Sequence, residues 1–221
     1  MKNFLAASAA LVFVSACGGS SLNDLFEDYD ELEVADQVDD SDIKISSISA
    51  EDFDLRAIEN LDTEKLETKV SGLEDEYGSA LEGDGFTSAA AVPVEGRAEM
   101  LGVMGIYDPD VAEDNGVAGE ISIGVNFEDN EVYGEASNFY NLDSDEVSSV
   151  EGELEFKAVI IRETGAIRGD LSGIIGDGTV LAELDGGFFG DNASAIGAEG
   201  RGTYQEPGEP TLGIEAAFIA E

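Results

Sequence analysis

The sequence predicts an all-β protein, an eight-stranded antiparallel up-and-down barrel preceded by an acidic, mostly disordered tether. Three observations lead to this prediction. From residue 93 onward, segments of about ten residues alternate apolar and polar side chains, the pattern of half-buried strands. Turn-forming residues separate these segments. Ahead of them, residues 18–92 hold 22 acidic and 4 basic residues, a composition that favours a solvated chain.

The whole chain is strongly acidic, with 50 Asp and Glu against 10 Lys and Arg in 221 residues and a formal net charge of -40. Phosphate recognition depends on Lys and Arg, so this charge argues against nucleic acid and anionic membrane surfaces as partners. Three explanations of the acidity stay open at this point: solubility, a cationic partner and a high-salt habitat.

The first residues have the features of an export signal, with Lys2 in a short basic start, an apolar run over 4–14 and small residues before Cys17. Residues 14–17, Val-Ser-Ala-Cys, resemble the bacterial lipobox, whose cysteine becomes the lipidated first residue of the mature protein. Residues 1–16 are therefore predicted to be a lipoprotein signal peptide, and Cys17 the lipidation site. Two or three acyl chains on one residue suffice for stable membrane anchoring.

Residues 17–92 form the predicted acidic tether, and one or two short helices are expected within it. Leu66, Val70 and Leu73 have helical spacing, residues 62–64 form a start signal, and Gly72 is the predicted stop. The remaining residues, 93–221, form the predicted barrel domain.

Eight strands follow one another in the barrel domain, joined by short connections. The predicted strands are 94–107, 119–127, 131–139, 150–160, 167–175, 179–189, 197–204 and 211–220. Closing eight antiparallel strands into a barrel removes exposed sheet edges and leaves an interior that side chains can fill. The apolar rows mix Gly and Ala with Leu, Ile and Phe, which suits a narrow filled interior.

Three other architectures stay open on periodicity alone. A sandwich of two four-stranded sheets has the same strand pattern. An outer-membrane pore would turn the apolar rows towards lipid and line its channel with carboxylates. A lipocalin-like carrier would hold a ligand inside the barrel.

The stretch 184–200 combines a strand, a sharp turn and a returning strand, and it carries a recognisable signature. The signature residues are Gly187, Phe188, Phe189, Gly190, Asn192, Ala193 and Gly197. They resemble the Gly-x-Phe-Tyr-Gly and Pro-Asn-Ala sequence of the barrel domain in transferrin-binding protein B and related surface lipoproteins. Asp191 replaces the usual Pro, and Ser194 and Ala195 replace the usual acids. Residues 125–134 and 213–218 also look like strands of that family.

The resemblance implies a lipid-anchored barrel that is displayed on the bacterial outer membrane and binds a protein or small solute, with a role in iron or nutrient acquisition. The single barrel implies that the partner is not transferrin itself. The signature residues are expected to serve barrel closure rather than binding, and a monomer is expected.

Several kinds of chemistry have no residues to support them. The chain has no His, which excludes a Ser-His-Asp triad and imidazole metal sites, and its only Cys, Cys17, is committed to lipid. The protein is therefore predicted to have no catalytic residues, no metal site and no cofactor, and not to be an enzyme. Four tyrosines are potential iron or haem ligands, although packing on the barrel is the simpler role for them: Tyr107, Tyr133, Tyr140 and Tyr204.

Overall fold

The computed structural model of the chain describes residues 45–81, 86–109, 116–141 and 148–221. The predicted signal peptide, the lipidation site at Cys17 and the tether up to residue 44 lie outside the described residues.

The described part of the chain folds into nine β-strands and one α-helix, with two short 3-10 helices, Ile45–Ser47 and Ala50–Asp52, before them. The α-helix is α1, Thr63–Leu81. The strands are β1 Arg97–Tyr107, β2 Gly116–Asn126, β3 Glu131–Asn141, β4 Ser148–Val150, β5 Gly152–Ile161, β6 Ala166–Ile175, β7 Gly178–Phe189, β8 Ala195–Gln205 and β9 Leu212–Ala220.

Eight of these strands close into an antiparallel up-and-down barrel. Each strand pairs with its neighbours along the chain, and β1 closes the ring by pairing with both β2 and β9. The predicted eight-stranded barrel is confirmed, and the two-sheet sandwich is wrong because no edge separates two sheets. The short β4 precedes β5 and is separated from it by Glu151. Both strands pair with β3, so β4 continues the β3–β5 pairing towards the end of β3.

The barrel interior is built from the apolar rows that the alternation predicted. On β2 the inward side chains are Ile121, Ile123 and Val125, and none of them is more than 1% exposed. On β5 and β6 the inward residues Leu154, Phe156 and Leu171 are equally buried. Period-two alternation therefore identified the core face of each strand.

Turn residues fix where the strands reverse. Gly176 has φ 57°, a left-handed conformation that glycine adopts without strain, and it forms the β6–β7 turn with Asp177. This turn lies in the gap 176–178 between the predicted strands 167–175 and 179–189. Asn130, with φ 63°, makes the β2–β3 turn in the same way.

The described part of the predicted tether lies against the outside of the barrel. Residues 45–61, which we call the strap, cross the outer wall of β2, β3 and β5, and α1 packs on the wall beside β1. The helix begins where predicted, because the Asp62 carboxylate accepts a hydrogen bond from the Lys65 backbone N–H at 3.0 Å. It continues past Gly72, the predicted stop, because Leu73 and Tyr77 are buried against the barrel.

Candidate binding surface

Aromatic rings meet across the barrel interior. β5 and β9 stand on opposite sides of the eight-stranded ring, yet the ring centroids of Phe156 and Phe218 are only 4.9 Å apart. Phe127, which directly follows β2, and Phe188 of the opposite strand β7 form a second pair with centroids 5.5 Å apart. A ligand in the centre would have to displace these rings. The interior thus argues against the lipocalin-like carrier.

The outer wall is mainly polar where the strap and α1 do not cover it. Arg168, Asp170, Glu183 and Asp185 point outward from β6 and β7, and all four are exposed. An outer-membrane pore needs the reverse arrangement, with apolar side chains outside and polar ones inside. The charged outer faces of β6 and β7 therefore argue against the pore interpretation.

One end of the barrel is closed by residues 86–96, which we call the closing segment. The Arg162 guanidinium donates hydrogen bonds to the carbonyl oxygens of Pro93, at 2.6 Å, and of Phe127. Val92 of this segment is 4% exposed and belongs to the interior core. The other end, which we call the open rim, carries the β6–β7 and β8–β9 turns and the ends of β1 and β3.

The signature residues lie at the closed end, where β7 turns into β8. Phe188 points into the barrel, whereas Phe189 points outward and stacks on Phe86 with centroids 4.6 Å apart. Gly187 makes room for Phe86, because a Cβ there would come within 2.7 Å of that ring.

The turn that follows has three signature residues at positive φ: Gly190 at 70°, Asn192 at 61° and Ala193 at 58°. Gly197 leaves space for the Phe189 ring, which a Cβ would meet at 2.9 Å.

A buried carboxylate attaches the strap to the barrel. Glu120 on the outer face of β2 is 2% exposed. Its oxygens accept hydrogen bonds from the backbone N–H groups of Glu59 at 3.2 Å and Leu61 at 2.8 Å, and from the Asn138 amide at 2.6 Å. The Leu61 carbonyl in turn accepts from Asn138 and from the Tyr140 hydroxyl. Sequence alternation marked Glu120 as solvent-facing, since no local signal shows that a distant segment covers it.

The four tyrosines do not come together. Tyr140 donates to the strap, and Tyr204 donates to the Glu206 carboxylate at the open rim. Tyr133 donates to Glu135 and Glu155 under the ring of Phe53, and burial together with these carboxylates raises its pKa. Tyr107 donates to Glu215, and its pKa is raised by burial first and by Glu215 second. Protonated hydroxyls that already donate hydrogen bonds are poor iron ligands, which favours the packing role.

Two glutamates share a small polar cluster on the outer wall of β8 and β9. Glu215 accepts hydrogen bonds from Tyr107 and from the Arg201 guanidinium, the latter at 3.0 Å. Burial, and then the charge of Glu215, raises the pKa of the neighbouring Glu199 to about 8. The cluster holds no nucleophile other than carboxylate, and its paired groups satisfy one another, so we assign it a structural role.

Large apolar side chains are exposed mainly at the open rim. Ile174 on β6 is 57% exposed and Leu181 on β7 is 56% exposed, and both point outward. The register pairs Ile174 with Thr179 and Leu181 with Ser172, so the two apolar side chains are diagonal neighbours across one strand pair. Leu212, 45% exposed, lies on the rim at the start of β9. We call Ile174 and Leu181 the apolar patch.

Acidic side chains surround the apolar patch. Glu153 is directly opposite Ile174 on β5, Glu183 follows Leu181 on the same face of β7, and Asp170 is paired with Glu183. Asp177 occupies the turn above them. All four carboxylates belong to exposed residues. In the register, Lys157 is the cross-strand neighbour of Asp170, and Arg201 that of Glu183. The ion pairs of these bases and of Arg168 are nevertheless with other acids: Lys157 with Glu155, Arg168 with Asp185 and Arg201 with Glu215.

No group of three or more acidic, His or Cys side chains among the described residues is arranged to hold a metal ion. Within the same residues, no helix combines the length and the apolar character needed to cross a bilayer.

Part of the chain is similar in fold to solved structures of transferrin-binding protein B. A mutant of the vaccine antigen transferrin-binding protein B from Haemophilus parasuis is 19% identical, with a TM-score of 0.40 over 62% of this chain and 28% of that chain. The isotype 1 transferrin-binding protein B of serogroup B Neisseria meningitidis is 18% identical, with a TM-score of 0.38 over 62% of this chain and 27% of that chain.

The chain therefore spans little more than a quarter of the length of these proteins. It has a barrel similar to a domain of transferrin-binding protein B, as the signature residues predicted, and the likeness concerns the fold alone. No family model matches the chain. No curated protein matches it either.

Proposed function

We propose that this chain is a lipid-anchored, non-enzymatic protein of the bacterial outer-membrane surface whose barrel binds a protein partner on its outer wall and open rim. The filled interior is the observation that carries this proposal. With Phe156 and Phe218 in contact across the barrel, recognition has to use the outside. The exposed apolar side chains at the open rim offer an apolar contact surface there.

The outer wall suits a protein partner better than a small solute. Solute sites are concave and bury most of the ligand, whereas Ile174 and Leu181 project from the convex side of a barrel. The sequence signature of residues 187–197 supports the further proposal that binding serves iron or nutrient acquisition. The protein acts as a monomer in this proposal.

The anchor and the filled interior can be tested in one measurement. We expect the full-length chain, expressed in a Gram-negative bacterium and extracted from membranes, to have the mass of a chain starting at Cys17 plus a diacylglycerol and an acyl group. Native mass spectrometry of the same sample should show no bound solute. A stoichiometric small molecule would contradict the filled interior, and an unmodified Cys17 would contradict the anchor.

A matched pair of variants tests what holds the protein at the membrane. Cys17→Ala removes the acylated sulfur, so the protein should leave the membrane fraction and become soluble. Ser20→Ala makes a similarly small change three residues later and should leave the protein membrane-bound. Recovery of Cys17→Ala in detergent-extracted membranes would show that the lipid is not the anchor.

A further inference from the structure

We infer that the apolar patch and its acidic surroundings form a docking surface for a basic protein segment that presents apolar side chains between Lys or Arg residues. This inference rests on the proposed function and assigns both the place and the chemistry of the partner. It places recognition on the flank formed by β5, β6 and β7.

The two flanks of the barrel differ in whether their outward apolar side chains are covered. On the flank of β1, β2 and β3, outward apolar side chains such as Val103 and Tyr133 are buried under α1 and the strap. On the flank of β6 and β7, Ile174 and Leu181 are more than half exposed. No described segment of this chain covers them. Residues 18–43 hold acids and no Lys or Arg, so that stretch has the wrong charge for an acidic site, and we infer that a second molecule binds there.

The charge around the apolar patch is negative. Glu153, Asp170, Asp177 and Glu183 surround the patch, and the nearby bases Lys157, Arg168 and Arg201 form ion pairs with other acids. The patch thus presents an apolar centre with carboxylates on every side except that of β8, where Thr203 is paired with Leu181; we call these four carboxylates the acidic ring. A basic partner would be attracted from a distance and would then bury Ile174 and Leu181 in a short-range contact.

The same charge argues against two other occupants. In a symmetric dimer built on this patch, each acidic ring would face its own copy, and like charges brought together across an interface disfavour association. A chain with a net charge of -40 is also repelled by anionic lipid headgroups. A segment of another protein with apolar and basic side chains complements both the apolar centre and the acidic ring.

The test uses the purified full-length chain in a non-ionic detergent and a labelled synthetic peptide as the probe. The peptide carries leucine side chains on one face and lysine on the other, and its comparison peptide has serine at the leucine positions. Binding is followed by fluorescence anisotropy in about 0.15 M NaCl, where long-range attraction between exposed charges is largely screened. The leucine peptide should bind more tightly than the serine peptide, because only it reaches the apolar centre.

Two pairs of variants locate the binding. The double variant Ile174→Ser with Leu181→Ser should weaken binding by about tenfold or more, whereas Val94→Ser, which changes a 72% exposed residue at the closed end, should leave it unchanged. The double variant Asp170→Asn with Glu183→Gln should weaken binding and reduce its salt dependence. Asp191→Asn with Glu64→Gln makes the same change in net charge at exposed positions elsewhere and should have little effect.

All substituted residues are exposed, so the variants should keep the wild-type urea midpoint, which confirms that the barrel is intact. Equal binding by the patch variants and their controls would overturn the inference and leave the proposed anchor and filled interior standing. Equal binding of the leucine and serine peptides would overturn it too, since attraction would then be purely electrostatic. A solute in the native mass spectrum would instead contradict the proposed function, whatever the peptide does.

Discussion

At the scale of single residues, Glu120 shows how a charged side chain can act as a structural attachment point. It is almost fully buried on the outside of the barrel, and its carboxylate accepts hydrogen bonds from two backbone N–H groups of the strap and from the Asn138 amide. A buried carboxylate is costly unless several donors stabilise it. Here three donors do so, and two of them, the N–H groups of Glu59 and Leu61, belong to the part of the strap after Asp52, which has no regular secondary structure.

Replacing Glu120 should therefore loosen the strap. Glu120→Ala leaves the N–H groups of Glu59 and Leu61 without their acceptor, and we expect the free energy of unfolding to fall by about 2–3 kcal/mol. Glu120→Gln keeps one acceptor oxygen and should lie between Ala and the wild type. Urea denaturation measures both effects.

Hydrogen exchange separates a local effect from a global one. Amides of the strap should exchange faster in Glu120→Ala, while those of β6 and β7 on the opposite side should change less. Glu183→Ala on an exposed position of β7 is the control, and its stability should stay within about 0.5 kcal/mol of the wild type. Equal stability of Glu120→Ala and the wild type would show that the strap is not held by this carboxylate.

At the scale of elements, the strands were predictable and the strap was not. Alternation and turn residues lie close together in sequence, so each strand could be read from about ten residues. The contacts of Glu120 with the strap join residues about sixty positions apart, and local patterns contain no such information. One sequence signal did exist: Ala158 to Ile161 is apolar on both faces, which indicates that something covers the outer wall of β5.

The helix shows a similar limit. Its start at Asp62 depends on a local capping interaction and was predictable. Its continuation past Gly72 depends on burial of Leu73 and Tyr77 against the barrel, which outweighs the cost of about 1 kcal/mol for glycine in a helix. The apolar patch was hidden for a related reason, since alternation placed Ile174 outward but could not show that the wall around it stays uncovered.

The β1–β9 pair closes the barrel, and two glycines on β1 allow a matched test of its packing. A Cβ at Gly102 would lie 1.8 Å from the carbonyl oxygen of Ile219 on β9, whereas one at Gly105 would have no atom within 4 Å. Gly102→Ala must push the two strands apart, and we expect it to lower the free energy of unfolding by about 1–3 kcal/mol or more.

Gly105→Ala makes the same chemical change on the same strand without a clash. It should be neutral or stabilising by about 0.4–1 kcal/mol, because alanine restricts the unfolded chain more than glycine does. The comparison of the two urea midpoints isolates the close approach of β1 and β9. Equal effects at the two positions would mean that closure does not require glycine at residue 102.

At the scale of the whole molecule, the excess of acids should make stability depend on salt. Eight of the ten basic residues lie in the described part of the chain, five of them form ion pairs, and with 50 acids to 10 bases in the sequence most acids cannot have a basic partner of their own. Folding brings these charges together, and their mutual repulsion destabilises the compact state. Sodium chloride screens this repulsion, with a Debye length that falls from about 10 Å at 0.1 M to about 3 Å at 1 M.

We therefore expect the melting temperature of the full-length chain to rise as sodium chloride is increased over this range, and to rise most steeply at low salt. Tetramethylammonium chloride at equal ionic strength should give a similar rise, because screening depends on charge and concentration rather than on the cation. A rise with sodium alone would indicate specific cation binding instead. A melting temperature that stays flat in both salts would show that self-repulsion is not significant for stability, and the acidity would then be explained by solubility or by the basic partner.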